Sequence, residues 1–418
     1  MSLGFQGVGA FLGVLVLIAG CGATTEAPSS SPSSSSPSNS ASPKSTAAPR
    51  SGPVVLTPLL VSVVAPPVAV PTTDGKVHLA YELLLNNVLN QEVTVASAAA
   101  KSGDRTLLSL AGDKLSYWMR AAGDPAPTSK LGPGQTGYIW LDVVVDHEDA
   151  VPQDLSHTLV VNTTKPSPPL ITPTVTEADV APVTVSTHQP AVIAPPLDGP
   201  RWLDGNSCCD MTAHRMALNP LDGQLWAAER FAIDYLQLSQ DGTVFNGDAA
   251  KLDSYPYFGA DIHAVADGPV VAVVDGLPEQ IPGASPTGLP LDQYGGNHVV
   301  QDIGNGNYAF YAHLETGSVK VKVGDQLTTG QVLANLGNSG NTDAPHLHFH
   351  VMSTPDPLKS NGIPFVFKSF KLDGRLAGMA GLERLSQGKP AQLQAGFTAR
   401  EESNTSPLVL DVMSYASG

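Results

Sequence analysis

The chain has 418 residues, enough for two or three domains. With 42% hydrophobic and 14% charged residues it has the composition of a globular protein, which excludes a wholly disordered chain. A formal net charge of −16 argues against nucleic acid as a partner, because phosphate binding needs basic patches.

The stretch "FLGVLVLIAGC" places an apolar run, Phe11 to Gly20, ahead of Cys21. The run is too short for a permanent membrane span and has the length of a signal-peptide apolar region, although no Lys or Arg precedes it. Ile18-Ala19-Gly20-Cys21 resembles a bacterial lipobox, in which cleavage precedes a cysteine that then carries lipid. The expectation is a lipoprotein signal over residues 1–21, a membrane anchor at Cys21, and a place in the cell envelope outside the cytoplasmic membrane. Residues 22–53 are rich in Ser, Pro and Ala, have too little apolar material to fold, and read as a disordered tether.

Residues 54–165 contain "VVLTPLLVSVV", "KVHLAYELLLNN", "EVTVASAAA", "GYIWLDVVV" and "HTLVVNTT", short apolar or alternating runs separated by turn formers. They predict a β-sandwich-like domain, a spacer or binding module in which His78, His147 and His157 are isolated. Proline-rich residues 166–200, which include His188, read as a linker. Residues 201–376 predict an antiparallel β domain from strand signals such as "RFAIDYLQL", "GPVVAVVDG", "NYAFYAHL" and "SVKVKVGDQL", with glycines at the turns. The expected fold class is therefore mostly β. Residues 377–418 form a tail of unknown role, with one possible helix at "LAGLERLSQG" and an apolar run "PLVLDVM". The adjacent Cys208 and Cys209 leave a vicinal disulfide, two buried thiols or a metal pair open.

The sharpest chemical signal is "DAPHLHFHV", residues 343–351. Alternate side chains of a strand share a face, so His346, His348 and His350 would project together, neighbours roughly 6–7 Å apart. Leu347, Phe349 and Val351 would face a core. Seven of the eleven histidines lie between His214 and His350.

The order of the pieces adds to this. His313 ends "NYAFYAHL"; Gly324-Asp325, Gly330-Gln331, Gly337 and Gly340 then lead into the histidine strand. The series, over roughly residues 206–352, resembles the lysostaphin-type (LytM-like) zinc endopeptidases that cut peptidoglycan cross-bridges. The resemblance implies one zinc ion per chain, held by a His and an Asp of an early H-x-x-x-D motif and by the second His of H-x-H. Asp234 and His348 match two of these ligands. His346 and His313 match the two histidines that flank the reacting carbonyl, as catalytic residues.

The first ligand departs from the pattern. Arg230 stands four residues before Asp234, and a guanidinium has no lone pair for a metal. His214, in "MTAHRMALNP", could supply the missing imidazole from upstream. His350 stands where the family usually has Glu or Gln, and a supporting role fits it better than ligation. His188, His263 and His298 read as structural. The implied function is a zinc metalloendopeptidase acting on peptidoglycan peptides. The alternative is a degenerate domain that binds peptidoglycan or regulates a wall hydrolase, with Arg230 clamping a wall carboxylate where the metal once sat.

Overall fold

The odd-numbered residues of the strand Val77–Asn87 show how the first domain is built. Val77, Leu79, Tyr81, Leu83 and Leu85 point to one side and meet Val93, Val95, Leu159 and Val161 from a second sheet. The computed structural model describes residues 55–416, so the expected signal segment, Cys21 and the tether lie outside the described residues. One sheet of the sandwich holds Leu59–Val63, Ala69–Pro71, Val77–Asn87, Met119–Ala121 and Thr136–Val145. The other holds Val93–Ser102, Arg105–Ala111, Lys130–Leu131, Asp154–Thr163 and Thr174–Thr184.

The last of these strands corrects the expected linker. Thr174–Thr184 pairs antiparallel with Asp154–Thr163 as an edge strand of the sandwich. An edge position tolerates Pro182, which has no N–H to give a further neighbour. Beyond it, Ala191–Ile193 pairs in parallel with Phe365–Phe367, and Gly199–Gly205 enters the sheet of the second domain. The prolines therefore punctuate ordered structure.

The second domain is an 11-stranded sheet. Its order runs Gln326–Leu327, Gly268–Val274, Asn297–Gly304, Asn307–Leu314, Leu347–Met352, Ile233–Gln237, Gly199–Gly205, Asp411–Tyr415, Phe370–Arg375 and Arg400–Glu402, with Gly362–Ile363 beside Leu347–Met352. All its pairings are antiparallel. The two-residue turn Asn305-Gly306, both at positive φ, closes the hairpin that leads to His313.

Two further expectations change here. The run "SVKVKVGDQL" contributes only Gln326–Leu327, because Lys320 is tied by a single backbone bond to Leu333 rather than by a ladder. The supposed tail supplies a central strand: Asp411–Tyr415 lies between Gly199–Gly205 and Phe370–Arg375. Its Val412, Met413 and Tyr415 are buried in the main core, and the short helix Ala380–Ser386 precedes it. Cys208 and Cys209 are buried and joined by a disulfide.

Candidate metal and catalytic site

Register places the site. Asp234 on Ile233–Gln237 lies opposite His348 on Leu347–Met352, and His348 lies opposite Ala312 on the next strand. Leu347, Phe349 and Val351 fill the core on the other face, while the rings of His348 and His350 lie 5.1 Å apart. His313 follows Ala312 at a φ of +61°, a left-handed conformation uncommon outside glycine. Its backbone is held from both sides: His313 N–H donates to the Gly295 carbonyl at 3.0 Å, and its carbonyl accepts from Gly337 N–H at 3.1 Å. Its Nδ1 donates to the Ser339 carbonyl at 2.8 Å.

Two glycines allow that approach. A Cβ on Gly337 would lie 2.3 Å from the Glu315 nitrogen, and one on Gly340 would lie 2.2 Å from the Gly296 nitrogen. Only bare backbone lets the loop 337–340 press on the hairpin and bring the Ser339 carbonyl to His313.

His214 sits on the turn Ala213–Met216, where Thr212 Oγ1 caps by accepting from Arg215 N–H at 3.2 Å. His214 Nδ1 donates to the Ala232 carbonyl at 2.9 Å, which turns Nε2 towards Asp234 Oδ2, 3.3 Å away. Asn206 Nδ2 donates to the same oxygen at 2.8 Å. Asp234 Oδ1 lies 3.0 Å from His348 Nδ1 and 3.3 Å from His346 Nε2. His346 Nδ1 donates to the Ala344 carbonyl at 2.8 Å.

Donor atoms of His214, Asp234 and His348 all lie within 4.8 Å of one another, and so do those of His313, His346 and His348. Two imidazoles and one carboxylate are a donor set that suits a tetrahedral ion with one position left for a reactant. The far nitrogen of each candidate histidine is also engaged, His214 on the Ala232 carbonyl and His348 on His350 Nδ1 at 2.9 Å. That is how imidazole ligands are oriented. The residues therefore fit a metal, with His214 in the place that Arg230 leaves open. His350 supports His348 from behind; among the described residues its own Nε2 has no hydrogen-bond partner.

The electrostatics separate the histidines. Burial would lower the His214 imidazole, but the facing Asp234 carboxylate outweighs it and carries the pKa up to about 9. The same balance raises His346. Burial, with His346 and His348 alongside, pushes His313 well below the ordinary histidine range, and burial beside His348 does the same to His350. Asp234 is held well below the carboxylate range: burial opposes this, and His214 and His346 overcome it.

Arg230 does not enter the site. It is buried with its guanidinium on Glu82 of the sandwich, Nε 3.1 Å from Oε1. Its Nε and Nη2 are turned to Glu82 and away from the position in which a clamp on a wall carboxylate was expected. His188, His263 and His298 each bond outside the cluster, to Asn307, Gly330 and Gly296 respectively. A further group, His78, Asp142 and Cys209, also has donor atoms within 4.8 Å, but the Cys209 sulfur is committed to the disulfide. Asn206 and Glu82 went unread in the sequence, for neither belongs to a motif or breaks a local pattern.

Residues 255–360 match "Peptidase family M23", a span that includes His313, His346 and His348 and begins after His214 and Asp234. Over 69 residues, 16% of this chain, the sequence is 35% identical to Endolysin 2638A of Staphylococcus phage 2638A. That match covers 14% of the endolysin, so the chain spans about one seventh of this relative's length. Among solved structures, the catalytic domain of the prophage-encoded M23 protein EnpA of Enterococcus faecalis (as a mutant) is 19% identical, over 41% of this chain and 93% of that one, with a TM-score of 0.24. The lysostaphin catalytic domain of Staphylococcus simulans is 19% identical over 39% and 84%, with a TM-score of 0.21. A zinc-containing peptidase from Vibrio cholerae is 15% identical over 66% and 77%, with a TM-score of 0.24.

Proposed function

Because residues 255–360 match the model of peptidase family M23, we propose that this chain is a zinc-dependent endopeptidase that hydrolyses peptide bonds in peptidoglycan. The observation that carries the reading is the convergence of His214, Asp234 and His348 donors, with His313 and His346 beside them. Zinc bound by those three would supply Lewis acidity towards a peptide carbonyl and a water whose pKa falls to about 7.

The chain's own groups divide the proton work. His313 donates a hydrogen bond from Nδ1–H to the Ser339 carbonyl and its burial favours the neutral ring, so Nε2 keeps a lone pair that accepts a proton. The Asp234 carboxylate, outweighing burial, raises His346, so its Nε2 holds a proton more readily than an ordinary imidazole and can donate to a developing oxyanion or a departing amine. Asn206 and the strand pairing hold Asp234 in place. In the binding-only alternative Arg230 clamps a wall carboxylate, and its pair with Glu82 speaks against that clamp.

We further propose that the chain works on the outer side of the cytoplasmic membrane, held by lipid at Cys21 and the tether that follows. The Cys208–Cys209 disulfide suits an oxidising compartment. Among the described residues no helix is long and apolar enough to cross a membrane.

The test is metal content together with release of peptide fragments from purified peptidoglycan. About one zinc per chain is expected, and His346→Ala should retain it while kcat falls on the order of 10²–10⁴-fold. A chain that takes up no zinc when supplied with it, and releases nothing, overturns the reading in favour of a binding protein.

A pH dependence follows from His214. A ligand imidazole must be unprotonated, and this one keeps its proton up to about pH 9. Apparent zinc affinity should therefore weaken by about tenfold for each unit that pH falls below that value. Chelator competition between pH 6 and 8 measures the slope; a flat profile would contradict the assignment of His214.

A further inference from the structure

We infer that Glu82 of the N-terminal sandwich is a positioning residue for the metal and catalytic site, holding the two segments that carry His214 and Asp234. The inference rests on the function proposed above, and it gives the N-terminal domain a role that neither a spacer nor a binding module has.

The reasoning starts from the strand Val77–Asn87. Its odd-numbered side chains fill the sandwich core, so Glu82 belongs to the outer face, where a lone sandwich would expose it to water. It is instead 0% exposed. The second domain covers it with Arg215 and Arg230, themselves 1% and 3% exposed. Glu82 Oε1 accepts from Arg215 Nη1 at 2.6 Å and from Arg230 Nε at 3.1 Å, and Oε2 accepts from Arg230 Nη2 at 2.5 Å. One carboxylate thus grips two guanidiniums.

Those arginines sit next to the site. Arg215 follows His214 directly, and Arg230 lies two residues before Ala232, whose carbonyl orients the His214 ring, and four before Asp234. Both ends of the His214–Ala232 bond are therefore fixed from the sandwich. The same strand pair adds further ties: Trp140 Nε1 donates to the Arg215 carbonyl at 2.6 Å, and the Leu141 carbonyl accepts from Arg215 Nη2 at 3.2 Å. A buried charge cluster is a poor way to gain stability, since packed apolar residues serve as well or better. Its distinctive property is direction, because a carboxylate between guanidiniums admits few geometries. Arg230 occupies the position of the expected ligand histidine, and in this chain that position anchors the ligand segments to the neighbouring domain.

The test uses the full chain with Glu82→Gln, with Glu82→Asp as the conservative variant. Hydrogen exchange of the amides in residues 207–216 and 228–236 needs no metal and reads positioning directly. In Glu82→Gln, exchange there should quicken by tenfold or more while protection in Asn297–Leu314 stays the same. Zinc affinity should fall on the order of 10–100-fold, and kcat should fall with KM little changed. Glu82→Asp should recover part of each. Unchanged exchange in both segments overturns the inference, as does an even loss of protection across both domains.

If Glu82→Gln does not fold, the triple variant Glu82→Leu, Arg215→Met, Arg230→Met decides, since it keeps volume and removes every charge. Weakened zinc binding in the folded triple variant supports positioning; wild-type affinity and kcat reduce Glu82 to packing. Should the wild type bind no zinc and cut nothing, the proposed function fails, and the exchange measurement still decides whether Glu82 positions the two segments.

Discussion

Replacing Asp234 with alanine is expected to abolish zinc retention and to lower hydrolysis on the order of 10³-fold or more, equivalent to about 4 kcal/mol of barrier. Among the described residues Asp234 is the one carboxylate in the two donor groups at the site, and everything converges on it. Its Oδ1 faces His346 and His348, and its Oδ2 faces His214 and Asn206. Alanine would leave the imidazoles with no anion to balance a divalent cation. The fold should survive, because Ile233 and Tyr235 on the opposite face of the strand hold the core. Zinc content, fragment release and circular dichroism on one preparation check the three parts together. One zinc per chain in Asp234→Ala would show that the metal sits elsewhere.

The second large effect concerns the fold. A chain ending after Leu410 is expected to lose the second domain while keeping the sandwich. Removing Asp411–Tyr415 takes a strand from between Gly199–Gly205 and Phe370–Arg375. Val412, Met413 and Tyr415 would be withdrawn from the core, together about 5–9 kcal/mol at about 1.5–3 for each buried side chain. That is comparable with the whole stability of a domain, about 5–15 kcal/mol. Asp411 adds to the loss: fully buried, it accepts from Arg375 Nε at 2.6 Å, from Leu408 N–H at 3.0 Å and from Thr73 of the sandwich. Limited proteolysis should leave a protected fragment spanning the sandwich and digest the rest. A truncated chain that still binds zinc and cuts peptidoglycan would refute the expectation.

These two cases mark what could be read from sequence and what could not. The histidine strand was legible because period-two alternation reports a face directly: Leu347, Phe349 and Val351 are buried in the core, and His348 and His350 share the other side. Asp234 and His313 were legible through the order of motifs around them. The partner of Arg230 was not, since Glu82 is 148 positions away and sits between Tyr81 and Leu83 where alternation marks a solvent-facing side chain. Pattern tells which way a side chain points and not what arrives to cover it. The strand Thr174–Thr184 was hidden by proline, which an edge tolerates. The strand Asp411–Tyr415 was visible as an apolar run, but its central place depends on pairing with residues some two hundred positions earlier.

That last pairing has a consequence for when the second domain is complete. A chain made from its N-terminus at ~5–20 residues per second has the whole sandwich available once Thr184 emerges, and needs roughly 10–45 s more to reach Asp411. Throughout that interval the outer face bearing Glu82 can receive Arg215 and Arg230, yet the sheet that carries Asp234 still lacks a neighbour. Any cutting power of the kind proposed would therefore arrive last, when Asp411–Tyr415 joins the sheet.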